Sequence, residues 1–155
     1  MGTKATSNKI STGLSGTAGE YFTAAQLSRL GHIASINLKN TKDVDILVMN
    51  ATGTRQVMIQ VKTGQGSERR WMLTRKAESL KNDNLFYVFV NLIDLDSLPE
   101  FYIVPSTVVA EHVSTEHKKW LASPGRKGKA HMDNNIRNFR DHKGEYKDRW
   151  DILGL

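Results

Sequence analysis

The chain has 155 residues, of which 39% are hydrophobic and 25% charged, and it carries a formal net charge of +6 at pH 7. This size and composition suit one domain with a hydrophobic core, and they exclude an intrinsically disordered chain. Because the chain contains no cysteine, disulfide bonds, thiolate catalysis, zinc-thiolate sites and iron-sulfur clusters are excluded as well.

The N-terminal part of the sequence predicts a polar lead-in followed by a helix. Residues 1–16 are rich in Gly, Ser, Thr and Lys, and we expect a flexible lead-in there. Thr17 is a candidate N-cap, helix-forming residues continue over 18–30, and Gly31 is typical of a helix end. The rest of the chain, 17–155, shows no repeat and no break in composition, so we expect it to form a single domain.

Short apolar segments after this helix predict strands and further helices. Strand patterns lie at 32–37, 44–49 and 56–61, and the loop between the last two is typical of a hairpin. The later candidates, in chain order, are a strand at 70–73, a helix at 74–81, a central strand at 85–92, a strand at 101–104 and a helix beginning at Ser106. The polar sequence beyond Ser123 predicts a loop and weak helix. We expect the three tryptophans to be core anchors: Trp71, Trp120 and Trp150.

Basic charge is concentrated near the C-terminus. Residues 118–149 contain ten Lys or Arg and four Asp or Glu, so this segment carries a net charge of +6 and the rest of the chain is balanced. Such a concentration favours a polyanionic partner, nucleic acid first, although a solvated surface that aids solubility is the alternative. The candidate nucleic-acid contacts are Arg69, Arg70, Arg126, Lys127 and Lys129.

Four residues form the most informative pattern. Asp45 interrupts an apolar strand, and a carboxylate there is costly unless it is paired or binds a cation. Gln60 and Lys62 are two residues apart on the next strand, so they project from the same side. We expect the hairpin to bring these three residues together at one end of the sheet, with Glu20 approaching from the first helix.

This cluster would supply the groups that phosphodiester hydrolysis requires. Carboxylate and amide oxygens suit Mg²⁺, and an adjacent ammonium can stabilise developing negative charge or orient the attacking water. The alternative is an ordinary ion pair between Asp45 and Lys62. Asp43 competes with Asp45 for the ligand role, but it lies at the start of the strand, where an exposed aspartate needs no explanation, and we prefer Asp45.

The order of these residues resembles that of the PD-(D/E)xK nuclease superfamily. Asp45 is followed, after fourteen residues, by Gln60-Val61-Lys62, and a helix bearing Glu20 precedes it. The pattern is similar to the restriction-endonuclease-like and Holliday-junction-resolvase-like branches in their Gln-x-Lys variant, over roughly residues 17–104. Two departures are the uncharged Gln60 and the absence of a Pro-Asp dipeptide before the hairpin.

The resemblance implies an α/β fold with a restriction-endonuclease-like core, in which helices flank a mixed central β-sheet in αβββαβ order. It also implies a DNA endonuclease with Mg²⁺ as cofactor, for which Mn²⁺ can substitute. Asp45 would be a metal ligand, Gln60 a ligand through its amide oxygen and Lys62 the catalytic lysine. Glu20 would bind the metal directly or through water.

Three functions remain open. We favour a metal-dependent DNA endonuclease, which would act twice at one site or as a homodimer to cut both strands. The alternatives are a catalytically inactive nucleic-acid-binding module of the same fold and a structural or protein-interaction domain. Because no signal peptide or membrane span is recognisable, we expect a cytoplasmic protein without a membrane partner.

Overall fold

The fold is built on a five-stranded mixed sheet with one long helix on each face. The computed structural model describes residues 9–37 and 42–155. The helices are α1 (Thr12–Arg29) and α2 (Ser106–Ala122), and the strands are β1 (Ile33–Ile36), β2 (Ile46–Met49), β3 (Gln56–Gln65), β4 (Arg70–Thr74), β5 (Leu85–Leu92), β6 (Glu100–Pro105) and β7 (Ile136–Arg140). In the part of the chain described, neither helix is long and apolar enough to cross a membrane.

The five-stranded sheet has the order β1-β2-β3-β5-β6, in which only β3 and β5 are parallel. The strands β4 and β7 form a separate antiparallel pair. This arrangement confirms the predicted α/β class and the mixed sheet flanked by helices. The central strand predicted at 85–92 is also confirmed, since β5 has those bounds and is buried almost throughout.

Two hydrophobic clusters lie on opposite faces of the sheet. Side chains alternate along β3, so Val57, Ile59 and Val61 pack with Leu27 of α1. The other face is covered by α2, through Val109 and its neighbours, and by the inner side of the β4–β7 pair. Gln60 and Lys62 belong to this second face, because they alternate with the buried valines.

The first helix begins earlier than the sequence suggested. Its N-cap is Ser11, whose side chain accepts a hydrogen bond from the Leu14 N–H (3.3 Å), so the prediction of Thr17 was wrong. Tertiary contact accounts for the difference: the side-chain amide of Gln65, at the end of β3, bonds both the N–H and the C=O of Ile10 at 2.9 Å. Of the expected lead-in, residues 1–8 lie outside the described residues.

The C-terminal region also differs from the prediction. The segment expected to be weakly helical contains β7, and the helix expected at 74–81 is only a short 3-10 helix, Arg75–Glu78. The inward positions of β7 hold Phe139 and a buried arginine, Arg137, whose Nε donates to Glu78 Oε1 at 2.5 Å. A buried arginine among polar neighbours conceals the alternation that predicts a strand.

The three tryptophans have different environments. Trp71 is a core residue, as predicted, and its indole N–H donates to the Val90 carbonyl (3.2 Å). Trp150 is half-buried against Phe101, with 5.4 Å between the ring centroids. The prediction for Trp120 was wrong: it is 37% exposed and stacks on His131 at 4.1 Å, because the last turns of α2 extend beyond the sheet.

A close approach between α1 and β3 sets the position of the first helix. A Cβ added to the buried Gly19 would lie 1.9 Å from Thr63 Oγ1, so only glycine permits this distance. The Thr63 hydroxyl is buried and has no hydrogen-bond partner within the described residues. This contact therefore fixes α1, and with it Glu20, beside the C-terminal half of β3.

We expect Gly19→Ala to lower the free energy of unfolding by about 1–3 kcal/mol, the usual cost of overpacking. The matched control is Gly16→Ala in the same helix, where no atom lies within 4 Å of an added Cβ. That substitution should stabilise the protein by roughly 0.5–1 kcal/mol, because alanine is the better helix former.

Chemical denaturation followed by circular dichroism measures both changes. Thr63→Ala should relieve part of the Gly19→Ala cost, because it removes the atom that collides. Equal stability changes at Gly16 and Gly19 would contradict the close approach.

Candidate active site

The hairpin strands β2 and β3 separate at Asp45. Ile46 is paired with Ile59, yet the Asp45 N–H also donates to the Ile59 carbonyl (2.8 Å). Two consecutive residues thus oppose one, which is the arrangement of a β-bulge, a feature common where a ladder ends beside an active site. The Asp45 side chain then takes the place of a backbone acceptor: its Oδ2 accepts a hydrogen bond from the Val61 N–H at 2.7 Å.

This hydrogen bond accounts for the carboxylate in an apolar strand. Asp45 is half-buried and is stabilised by a backbone donor rather than by a cation, since it forms no ion pair with Lys62 in the described structure. The alternative interpretation, an ordinary ion pair between Asp45 and Lys62, therefore has no supporting contact among the described residues. The second oxygen, Oδ1, accepts no hydrogen bond from any described residue and is available to a ligand.

Gln60 and Lys62 open into a small cavity on the α2 face of the sheet. The cavity has a volume of about 110 Å³. Both side chains are half-buried, and neither forms a hydrogen bond or an ion pair with another described residue. An amide and an ammonium without protein partners are unusual in a half-buried place, because polar groups that leave water are normally hydrogen-bonded.

Three further residues of this cavity carry ionisable groups, and only Asp43 among them was named from the sequence, as the competitor of Asp45. Asp43 lines it and forms an ion pair with Lys76, and Asp43 has a left-handed backbone conformation (φ 66°). Tyr87 lies at the opposite wall, where burial, and secondarily the charge of Asp43, raises its pKa to about 12. Its hydroxyl therefore keeps its proton at neutral pH. Lys76 and Tyr87 carry no local signal, because only the tertiary packing of the Arg75–Glu78 helix and β5 brings them here.

The structure places Gln60 and Lys62 on the α2 face of β3, whereas Glu20 lies on α1, which covers the opposite face of the sheet. Asp45 contacts the Val61 amide, between Gln60 and Lys62 in sequence, whereas Asp43 rather than Asp45 lines the cavity. The helix contact described above brings Glu20 beside the same segment from the α1 face. The preference for Asp45 over Asp43 as a ligand stays a prediction.

The oxygen donors present here are compatible with a magnesium ion. Within 9–37 and 42–155, no group of three or more Asp, Glu or His is placed to hold a metal. Mg²⁺ does not require such a group, because it retains several waters and is commonly bound through one or two carboxylates. The Asp45 carboxylate and the Gln60 amide oxygen are hard donors of the kind it prefers.

The basic C-terminal segment is less available than its composition suggests. Four of its ten cations form ion pairs within the protein: Lys119 with Glu116, Arg137 with Glu78, Lys147 with Glu100 and Arg149 with Asp151. The Lys147 hydrogen bond is the main reason that the pKa of Glu100 lies below its usual value. The others, which form no ion pair with a described residue, are Lys118, Arg126, Lys127, Lys129, Arg140 and Lys143.

The predicted nucleic-acid contacts occupy two exposed places. Arg126, Lys127 and Lys129 lie in and next to a short 3-10 helix, Arg126–Gly128, and all three are exposed. Arg69 and Arg70 lie at the start of β4 and line a shallow cavity of about 480 Å³ together with Arg140. The structure therefore adds Arg140, a residue that the sequence pattern did not single out.

Comparison with known proteins identifies the fold. No protein-family model and no curated protein sequence matches the chain. Among solved structures, the bacterial homing endonuclease I-Ssp6803I superposes with a TM-score of 0.57 at 14% identity, covering 94% of this chain and 92% of that chain. A Holliday junction resolvase, Archaeoglobus fulgidus Hjc, gives a TM-score of 0.45 at 12% identity, with 81% and 84% covered. With its five-stranded mixed sheet and flanking helices, the chain has a restriction-endonuclease-like fold.

Proposed function

We propose that this protein is a metal-dependent DNA endonuclease that hydrolyses phosphodiester bonds. The observation that carries the proposal is a set of polar groups around Val61 that have no partner among the described residues: Asp45 Oδ1, the Gln60 amide and the Lys62 ammonium. Folding alone gives no reason to keep three polar groups without such partners around one segment of β3. The fold, which is shared with a homing endonuclease, supports the same activity.

Each residue has a separate role in this proposal. Asp45 is held by the Val61 N–H, so its second oxygen is oriented without freedom to swing away. Gln60 contributes its amide oxygen as a second ligand, and Glu20 acts from α1 as a direct or water-mediated ligand. Mg²⁺, or Mn²⁺ in its place, supplies Lewis-acid activation of the phosphoryl group when bound.

Lys62 acts on the reacting atoms by a different route. Its ammonium is half-buried and unpaired within the described structure, so it can donate to a non-bridging phosphate oxygen or orient the attacking water. Asp43, in contrast, is neutralised by Lys76. Asp43 and Lys76 therefore form part of the cavity wall, and Asp43 does not act as a metal ligand.

The second candidate function is a nucleic-acid-binding module without catalysis. The uncharged Gln60 favours it, because an amide binds a divalent cation more weakly than a carboxylate does. In either case the partner is DNA. A homodimer would place two sites on a duplex, and the lack of cysteine fits a reducing cytoplasm.

Substitutions at the site should separate the metal ligand from the catalytic lysine. Asp45→Asn should weaken Mg²⁺ binding and cleavage together, while its amide oxygen can still accept from Val61 and preserve the fold. Lys62→Ala should retain or tighten Mg²⁺ binding and lower cleavage by roughly 10² or more, because it removes only a positioned cation. Gln60→Glu should bind Mg²⁺ at least as well and still cut.

Calorimetric Mg²⁺ titration and a plasmid-nicking assay measure these effects. Asp43→Asn is the matched control, which should leave metal binding unchanged if Asp45 is the ligand. The reverse pattern would exchange the roles of the two aspartates. Wild-type protein that neither binds Mg²⁺ nor nicks any form of DNA would support the binding module.

DNA affinity should fall steeply with salt, because exposed cations release counterions from phosphates. Replacing Arg126, Lys127 and Lys129 together with alanine should weaken binding to all sequences. It should also reduce the slope of log affinity against log salt by up to about three units, one for each phosphate contact.

A control of equal charge change is Arg29, Arg55 and Lys81, all to alanine. These residues are exposed and are not among the predicted nucleic-acid contacts; Arg29 lies at the end of α1 and Arg55 directly before β3. The control variant should keep the wild-type slope. If both triple variants change the slope equally, the effect is one of net charge, and the binding surface is elsewhere.

A further inference from the structure

The β4–β7 pair has an outer face that borders a cavity of about 550 Å³, which Arg70 and Asn138 line together with Glu116 and Trp120 of α2. The inner positions, among them Trp71 and Phe139, pack against the α2 cluster. The outer positions alternate with them and face away from the core: Arg70, Met72 and Thr74 on β4, and Ile136, Asn138 and Arg140 on β7. We call these six residues the ribbon face.

Two arginines are directly opposed on the ribbon face. Arg70 is the cross-strand partner of Arg140, and like charges in this position destabilise a strand pair. Neither arginine forms an ion pair with a described residue, and Arg70 Nε donates to the neutral Asn138 Oδ1 at 3.0 Å. A polyanion lying across the pair would remove this repulsion, so the charge pattern is complementary to nucleic acid.

The apolar residues on the same face indicate more than phosphate contact. Met72 is 68% exposed and lies between Arg70 and Thr74 on the outer side of β4. Ile136 is 49% exposed and lies next to Asn138 on the outer side of β7. Guanidinium, amide and apolar groups are the side-chain types that contact guanine, adenine and the thymine methyl group in the major groove.

The ribbon face also adjoins the candidate active site. Thr74, at one end of β4, lines the cavity that contains Gln60 and Lys62. Arg70 lies four residues further along the strand, roughly 13 Å away at the usual rise per residue. The major groove admits a two-stranded β-ribbon, and base pairs there repeat every ~3.4 Å. The ribbon would therefore cover about four base pairs beside the cleaved bond.

We propose that the ribbon face enters the major groove of duplex DNA and determines sequence preference, with Arg70, Asn138 and Arg140 contacting base edges. This inference rests on the proposed function, because it assumes a DNA substrate, and it narrows that substrate to duplex DNA of preferred sequence. Met72 and Ile136 contribute apolar contacts. The exposed turn at Arg126–Gly128 contacts the backbone outside the groove.

The test is equilibrium binding to randomised duplex oligonucleotides in the absence of divalent metal, followed by sequencing of the bound fraction. Wild-type protein should select a preferred sequence over the unselected pool. Asn138→Ala and Arg70→Lys should each relax the preference at one or two positions by roughly tenfold to a hundredfold. Arg70→Lys keeps the charge, so a loss of preference there reports lost base contact.

Lys127→Ala is the matched control, because it should weaken binding to every sequence equally and leave the preference intact. Each variant is compared with the wild type in an unfolding experiment, in which Asn138→Ala should lose some stability because it removes the acceptor of the Arg70 Nε hydrogen bond. Unchanged preference in Arg70→Lys, Asn138→Ala and Arg140→Lys overturns the inference. Tighter binding to a four-way junction or to single strands than to duplex of the same sequence also overturns it.

The outcomes distinguish this inference from the nuclease proposal. Binding is measured without metal and does not require catalysis. If the protein shows a sequence preference that depends on the ribbon face but never nicks DNA, the inference is upheld and the nuclease proposal is overturned. If the protein nicks DNA and none of the three ribbon variants changes its sequence preference, the nuclease proposal is upheld and the inference is overturned.

Discussion

The hydrogen bond between the Asp45 carboxylate and the Val61 amide is the interaction on which the site depends. Where β2 leaves β3, the Val61 N–H loses its backbone acceptor, and an unsatisfied buried amide would cost about 1–3 kcal/mol. Asp45 supplies the acceptor at 2.7 Å and thereby lets the strands part at this point. The opening exposes the Gln60 and Lys62 side of β3, and Asp43 and Lys76 pack beside it. A single side chain thus ends the ladder and presents its remaining oxygen to the resulting gap.

The two faces of β3 have different roles: one belongs to the hydrophobic core and the other to the candidate site. The valine and isoleucine face holds α1 and the larger share of the apolar contacts. The polar face is covered by β4 and the Arg75–Glu78 helix, which leave the small cavity beside Gln60 and Lys62. Because the same strand serves as core and as site, its position is fixed by the buried side chains and not by the polar ones. The polar side chains can therefore lack protein partners without loss of the fold.

The sequence was sufficient for the features that depend on local pattern, and insufficient for those that depend on distant contact. The alternation of β3 predicted that Gln60 and Lys62 share a face, and the apolar run of β5 predicted a central strand. The start of α1 was misplaced because its stabilising partner, Gln65, is 55 residues away from Ile10. The strand β7 was missed because Arg137 is buried with Glu78, a pairing that no local window contains. The roles of Asp43, Lys76 and Tyr87 depend on the same kind of distant packing.

The strands β4 and β7 pair although they are far apart in the sequence, and this distance affects folding. The Arg70–Asn138 contact spans 68 residues, and contacts of such range form late, because the intervening chain must first lose its freedom. The strands β5 and β6 and the helix α2 all lie within that interval. Phe89, which stacks on Phe139 of β7 with 4.7 Å between the ring centroids, therefore stays uncovered on that side until β7 has been synthesised. Until β7 pairs with β4, this apolar surface is open to association with other chains, and the pairing protects it.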